Sequence, residues 1–354
     1  MAVKSTATPE PSLRHSKDFP GFPLAELHAH LATSLTPIVL WQIAHANGIK
    51  LQQRDFRAFQ EYVMLSPERR MSLNDYFNRI YHPILDRISS GTHAVQQATY
   101  ETMGGAYREG GISLIELRCN PMKHNLDAQL DLDHIIMAMI HGMEQALLEH
   151  AQLSAGLIFC IGRDLSYQQN EIIIQKAIRY HRRGVVGVDV AGPANPQFHL
   201  KDYAALFARA RKAGLGITIH SGEVAEATDI WEALEHIQPS RIGHGIRAAY
   251  DKPLLAELAR RKVVLEVCPM SNIATKAVSG MDEIKLILRT LQEHNVRFCI
   301  NTDWPAVIRG CHLRPQLEML RDSQALTESE IIQANRTAFA ASFIPKPGGL
   351  DAYL

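Results

Sequence analysis

Eight short apolar runs punctuate the chain, and stretches with helical period separate them. The runs are Ala25–His30 (AELHAH), Ser113–Asn120 (SLIELRCN), Ser154–Ile161 (SAGLIFCI), Val185–Gly192 (VVGVDVAG), Gly216–Glu223 (GITIHSGE), Arg241–Gly245 (RIGHG), Val263–Pro269 (VVLEVCP) and Arg297–Asp303 (RFCINTD). Several are continuously apolar rather than alternating, the pattern of strands buried on both faces of a parallel sheet. Asp202–Ala213 and Ile284–His294 place apolar residues at i, i+3, i+4 spacing. Gly214 and Gly216 stand where a helix would end and a strand begin. Repeated strand–helix units predict an α/β fold, a (β/α)8 barrel. An open doubly wound sheet is the alternative, and no G-x-G-x-x-G turn follows the first run to favour it.

Residues 1–23 are polar and Pro-containing and read as a flexible leader. Residues 24–344 are expected to form one barrel domain, followed by a tail at 345–354. The first connection is unusually long. Leu40–Ala46, Leu73–Ile88 and Thr92–Arg108 all carry helical period. Residues 31–112 are therefore expected to form a helical insertion over the C-terminal mouth of the barrel, acting as a lid or as decorative packing.

Lys+Arg and Asp+Glu both total 37, so no general basic surface points to nucleic acid or to a membrane. No apolar run approaches the ~20 residues that span a bilayer, and the N-terminus lacks a signal-peptide core. The five cysteines are odd in number, lack a C-x-x-C, and mostly sit in apolar segments. They read as buried free thiols of a cytoplasmic protein.

Polar residues gather at the C-terminal ends of the runs, where barrel enzymes place their chemistry. His28 and His30 end the first run, Gly192 the fourth, His220 and Glu223 the fifth, His244 the sixth and Asp303 the eighth. Side chains two apart on a strand share a face, so both imidazoles of His28-Ala29-His30 can reach one point. Alone, the pair is as compatible with core packing as with a metal. Joined by His220 and Asp303, it becomes a set of three imidazoles and one carboxylate suited to Zn2+, with Fe2+ or Co2+ as alternatives. Glu223 is placed to trade protons without ligating. His244, flanked by two glycines, is placed to face a ligand. His45, His93, His134, His141, His181, His236 and His294 lack ligand spacing.

These stretches resemble the adenosine deaminase family of barrel metallohydrolases. The matching segments are AELHAHLATSL, GVDVAGP, HSGEV, RIGHG, CPMSN and NTDWP, in the family's order. The resemblance implies one zinc ion held by His28, His30, His220 and Asp303, and hydrolytic deamination of a purine nucleoside. It implies that His244 and Asp303 orient and deprotonate a water, that Glu223 protonates a ring nitrogen, and that the Gly192 N–H binds another. His30 and Trp304 are further expected to touch the substrate, a small molecule; no partner protein is expected.

Two positions depart from the family pattern. Ala32 stands where H-x-H-L-D-G-S has an Asp that helps hold ribose hydroxyls. Trp304 stands where N-T-D-D-P has an Asp that contacts the five-membered ring. Trp304 can stack or donate its indole N–H but cannot accept. The alternatives are a deaminase of a modified or N6-substituted nucleoside or free base, a barrel metallohydrolase of another substrate, and a non-catalytic binding protein. A deaminase of the other zinc fold would show H-x-E with P-C-x-x-C, which is absent.

Overall fold

All eight apolar runs become strands, and they pair in parallel in chain order. They are β1 (Leu24–His30), β2 (Ile112–Cys119), β3 (Ser154–Gly162), β4 (Val185–Ala191), β5 (Gly216–Ser221), β6 (Arg241–His244), β7 (Val264–Val267) and β8 (Arg297–Ile300). This computed structural model describes residues 22–66, 68–125 and 131–345. The expected leader and tail lie almost wholly outside the described residues. Among the described residues, no helix is long and apolar enough to cross a membrane. All five cysteines are free and buried, as expected.

β8 returns to β1 just beyond its own end and brings the cylinder round into a (β/α)8 barrel. The His30 N–H donates to the Asp303 carbonyl at 3.2 Å, and the Asp303 N–H to the His28 carbonyl at 2.7 Å. Lower down, side chains replace the ladder. The Leu27 N–H donates to Asn301 Oδ1 at 2.9 Å, and the Thr302 N–H to Glu26 Oε2 at 3.0 Å. At the barrel's other end Phe343 fills the space left by glycines. A Cβ on Gly216 would lie 2.1 Å from its ring, and one on Gly187 2.7 Å. Gly216, read above as a strand start, therefore also makes room for this plug.

The long first connection is helical. It contains α1 (Pro37–Ala46), α2 (Phe56–Val63) and α3 (Leu73–Tyr76), which runs directly into a π-helical stretch, Phe77–Asp86. Pro83 lies inside that stretch. A proline removes one backbone donor and crowds the preceding turn, which favours such a local widening. α2 has no counterpart among the sequence expectations; Asp55 caps it by accepting from the Ala58 N–H. The next helix, α4 (Thr92–Gly110), packs against α5 (Leu132–Glu149) in the manner of a barrel crossover. The additional elements are therefore those before α4. They are strapped to the mouth: Leu65 N–H donates to the Val307 carbonyl at 2.7 Å, and Arg70 Nε to the Ile273 carbonyl at 2.8 Å.

Two helical glycines should respond oppositely to alanine. At Gly142 of α5 a Cβ would lie 2.3 Å from the backbone oxygen of Gln96. That contact cannot be relieved without moving a helix, so Gly142→Ala should cost about 1–3 kcal/mol. At Gly105 of α4 a Cβ meets nothing within 4 Å among the described residues. Gly105→Ala should stabilise by about 0.5–1 kcal/mol through helix propensity. Denaturant midpoints of the two variants check both signs.

Candidate metal and catalytic site

Charged residues sit inside the apolar strands, where water cannot reach them. Arg118 of β2 donates to Asp189 of β4 at 2.7 Å and also to Glu266 of β7. Arg241 of β6 pairs with Glu116 of β2 and with Glu266, the latter at 2.7 Å. Contacts between strands so far apart in the sheet can only cross the barrel's interior. The side chains of Arg118, Asp189, Glu266 and Glu116 are fully buried. Buried charges persist only when paired and hydrogen-bonded, and here they alternate in sign.

This lattice orients two histidines. Glu266 Oε2 lies 2.9 Å from His28 Nδ1, and Asp189 Oδ2 lies 2.8 Å from His220 Nδ1. A carboxylate on Nδ1 fixes the proton there and leaves Nε2 with its lone pair, the usual support behind a metal-binding imidazole. Both Nε2 atoms face one point. His28 Nε2 is buried without a hydrogen-bond partner among the described residues. His220 Nε2 lies 3.0 Å from His30 Nε2, and Asp303 Oδ1 lies 3.3 Å from His30 Nε2 and 3.5 Å from His28 Nε2. Burial, reinforced by nearby cationic groups, holds His28 and His30 well below the usual histidine range, so both are neutral donors at neutral pH. Burial, and next the Glu223 carboxylate, pushes Asp303 well above the usual carboxylate range. A carboxylate in such a place needs a cation to remain ionised.

His28, His220, His244 and Asp303 offer donor atoms that all lie within 4.8 Å of one another. His244 differs in its support. Its Nδ1 accepts from the Asn272 amide at 3.0 Å, which leaves the proton on Nε2, 3.6 Å from Glu223 Oε2. That suits a hydrogen-bond donor better than a ligand. Glu223 is partly buried, its side chain 12% exposed, and desolvation pushes its carboxyl up to about 7 against the opposing charge of Arg163. Ser271 Oγ donates to Asp303 Oδ2 at 2.6 Å and holds that carboxylate's second oxygen. His244 and Asp303 both have positive φ, 60° and 63°. Left-handed backbone at non-glycine residues costs about 1–3 kcal/mol and gathers at functional sites.

A cavity with about 760 Å³ of empty space opens over this group, lined by His30, Gly192, His220, Glu223, His244, Asp303 and Trp304 among others. A sequence profile of the adenosine deaminase family matches residues 23–351. The chain belongs to that family. An adenosine deaminase of Shewanella denitrificans is 27% identical over 325 residues, covering 91% of this chain and 94% of its own. Adenine deaminase from Arthrobacter aurescens superimposes with a TM-score of 0.82 at 23% identity, over 94% of this chain and 97% of that one. An amidohydrolase from Burkholderia ambifaria with bound Zn superimposes with a TM-score of 0.79 at 17% identity, over 94% and 88%. Both structural likenesses reinforce the barrel fold.

The two departures from the family pattern have different surroundings. Ala32 is fully buried and brings no polar group. Trp304 borders the cavity, yet its ring stacks on Tyr76 of α3 at 4.6 Å, with Phe77 edge-on at 6.2 Å. One face of the indole is thus spent on fastening the helical cover.

Several site residues escaped the sequence reading. Arg118, Asp189 and Glu266 each interrupt an apolar strand that has no solvent face, and that interruption was their signal. Arg163 donates to the carbonyls of His220 at 2.6 Å and Gly192 at 3.3 Å, tying the ends of β4 and β5 together. Nothing in its local sequence marks it. Removing the support behind one imidazole should loosen the metal: Asp189→Asn should weaken metal affinity about 10–100-fold, read by chelator competition.

Proposed function

We propose that the protein is a zinc-dependent aminohydrolase that converts the 6-amino group of adenosine, or of an adenosine-like purine nucleoside, to a 6-oxo group and releases ammonia. The reading rests on the convergence of the Nε2 atoms of His28, His30 and His220 with Asp303 Oδ1, beside Glu223. These four residues would hold the metal, with His244 acting as a hydrogen-bonding partner. Three imidazoles and one carboxylate suit zinc, and the Burkholderia neighbour carries Zn. Charge balance supports a divalent ion. Glu116, Glu266 and Asp189 against Arg118 and Arg241 leave one excess negative charge, and Asp303 adds a second. The free, buried thiols fit a reducing compartment, and we assign the protein to the cytoplasm.

A bound divalent ion supplies Lewis acidity, lowering the pKa of a water toward ~7. Asp303 and His244 orient that water, and Asp303 accepts its proton. The oxygen adds to the carbon that bears the amino group. Glu223 delivers its proton to the adjacent ring nitrogen, so the carbon becomes tetrahedral without charge building on the ring. The C–N bond then breaks, the nitrogen leaves as ammonia with the proton that Asp303 took from water, and the proton left on the oxygen returns to Glu223 as the C=O bond forms. The Gly192 N–H holds another ring nitrogen. With φ at 103° and no Cβ, that residue lets a ring approach the backbone. A second reading keeps this chemistry and changes the substrate to an N6-substituted nucleoside or a free base. It is favoured by the absence of a carboxylate at both Ala32 and Trp304.

Ammonia release over adenine, adenosine, N6-methyladenosine and AMP tests the proposal, with metal content measured on the same sample. We expect one metal ion per chain and turnover of at least one nucleoside. A metal-loaded protein silent on all four would contradict the reading. Glu223→Gln should keep its metal while kcat falls by at least ~10²-fold. Asp303→Ala should lose both metal and turnover, which elemental analysis and the same assay report together.

A further inference from the structure

The mechanism leaves several polar groups of the cavity unused, and one of them is a buried acceptor without a partner among the described residues. His82 and Asp86 lie in the π-helical stretch that covers the mouth, and both line the cavity. His82 Nδ1 lies 2.7 Å from Asp86 Oδ2. Asp86 is itself buried. The imidazole ring is stacked on Phe77, with centroids 5.2 Å apart and planes at 17°, and meets Tyr81 edge-on at 5.4 Å. It is thus fixed in position, and with the carboxylate against Nδ1 the neutral ring keeps its proton there and its lone pair on Nε2. That Nε2 is buried and has no hydrogen-bond partner among the described residues. A buried polar atom held by a carboxylate and two rings, yet unsatisfied, calls for a partner absent from the polypeptide.

We propose that His82, oriented by Asp86, is a specificity-determining residue that accepts a hydrogen bond from a sugar hydroxyl of the substrate. The inference rests on the purine nucleoside reading above. An acceptor can pair only with a donor. The ring nitrogens N1, N3 and N7 of a 6-aminopurine are acceptors, and its amino group belongs at the metal end with Glu223 and Asp303. Sugar hydroxyls are the remaining donors of a nucleoside. Position 32, being alanine, supplies no polar group for them. His82 projects from the cover, whereas the proposed ligands lie at strand ends, and both border the same cavity. Its place in the cover also makes sugar recognition depend on how the helical elements seat on the mouth.

The test is the ratio of kcat/KM for adenosine to that for adenine, in the wild type and in His82→Phe. Phenylalanine keeps the stack on Phe77 and removes the acceptor. We expect the wild type to favour adenosine and the ratio to fall at least five-fold in His82→Phe, with most of the loss in KM. His82→Gln, which retains an acceptor, should fall between the two and covers the case in which the phenylalanine variant does not fold. Metal content and melting temperature establish that each variant is intact. A ratio changed less than five-fold in intact variants, or a wild type that prefers adenine, overturns the inference. A metal-loaded wild type that deaminates neither compound is a different failure. It overturns the deaminase reading, and this inference with it.

Discussion

A chain of buried charges inside the barrel is what the remainder of the site depends on. Glu116, Arg241, Glu266, Arg118 and Asp189 alternate in sign across the interior, where barrels of this kind ordinarily stack branched apolar side chains. Such a lattice is weak as a source of net stability, because each ion gives up its hydration. Its value lies in geometry. It sets the proton on Nδ1 of His28 and His220 and turns both Nε2 atoms toward Asp303. Removing any one member leaves a charge stranded in low dielectric, so the lattice stands or falls together.

The barrel's closure serves the same point. β1 and the segment just past β8 meet through Glu26, Asn301 and the backbone of His28, His30 and Asp303, so the seam is joined at proposed ligands. The left-handed backbone of His244 and Asp303 is the local cost of turning both side chains into the mouth. Above them, the Tyr76–Trp304 stack fastens the helical cover to the residue that follows Asp303. Proposed metal site, barrel seam and cover therefore share one short segment, Asn301–Trp304.

The architecture was legible because parallel strands buried on both faces leave continuous apolar runs, and because chemistry in this fold collects at their ends. His28, His30, His220, Glu223, His244 and Asp303 stand at those ends in the sequence itself. The charges within the runs were equally visible but needed the opposite argument: Asp189 in VVGVDVAG and Glu266 in VVLEVCP have no solvent face to occupy. Other features depend on contacts between distant segments, which no local pattern encodes. Phe343 against Gly216, Arg163 against the carbonyls of His220 and Gly192, and Trp304 against Tyr76 are of this kind. The sequence of Phe77–Asp86 carries the apolar period of an ordinary helix, so its π-helical widening is not legible there beyond Pro83.

As proposed above, this lattice presents His28, His30, His220 and Asp303 to one divalent ion and leaves His244 outside its ligand set. Anomalous diffraction from crystals of the zinc-loaded protein, collected on either side of the zinc edge, tests it most directly. We expect a single peak bonded to the Nε2 atoms of those three histidines and to Asp303, with Nδ1 of His28 and His220 still on their carboxylates. A peak ligated by His244 in place of His30, a second peak beside the first, or none at all would contradict it.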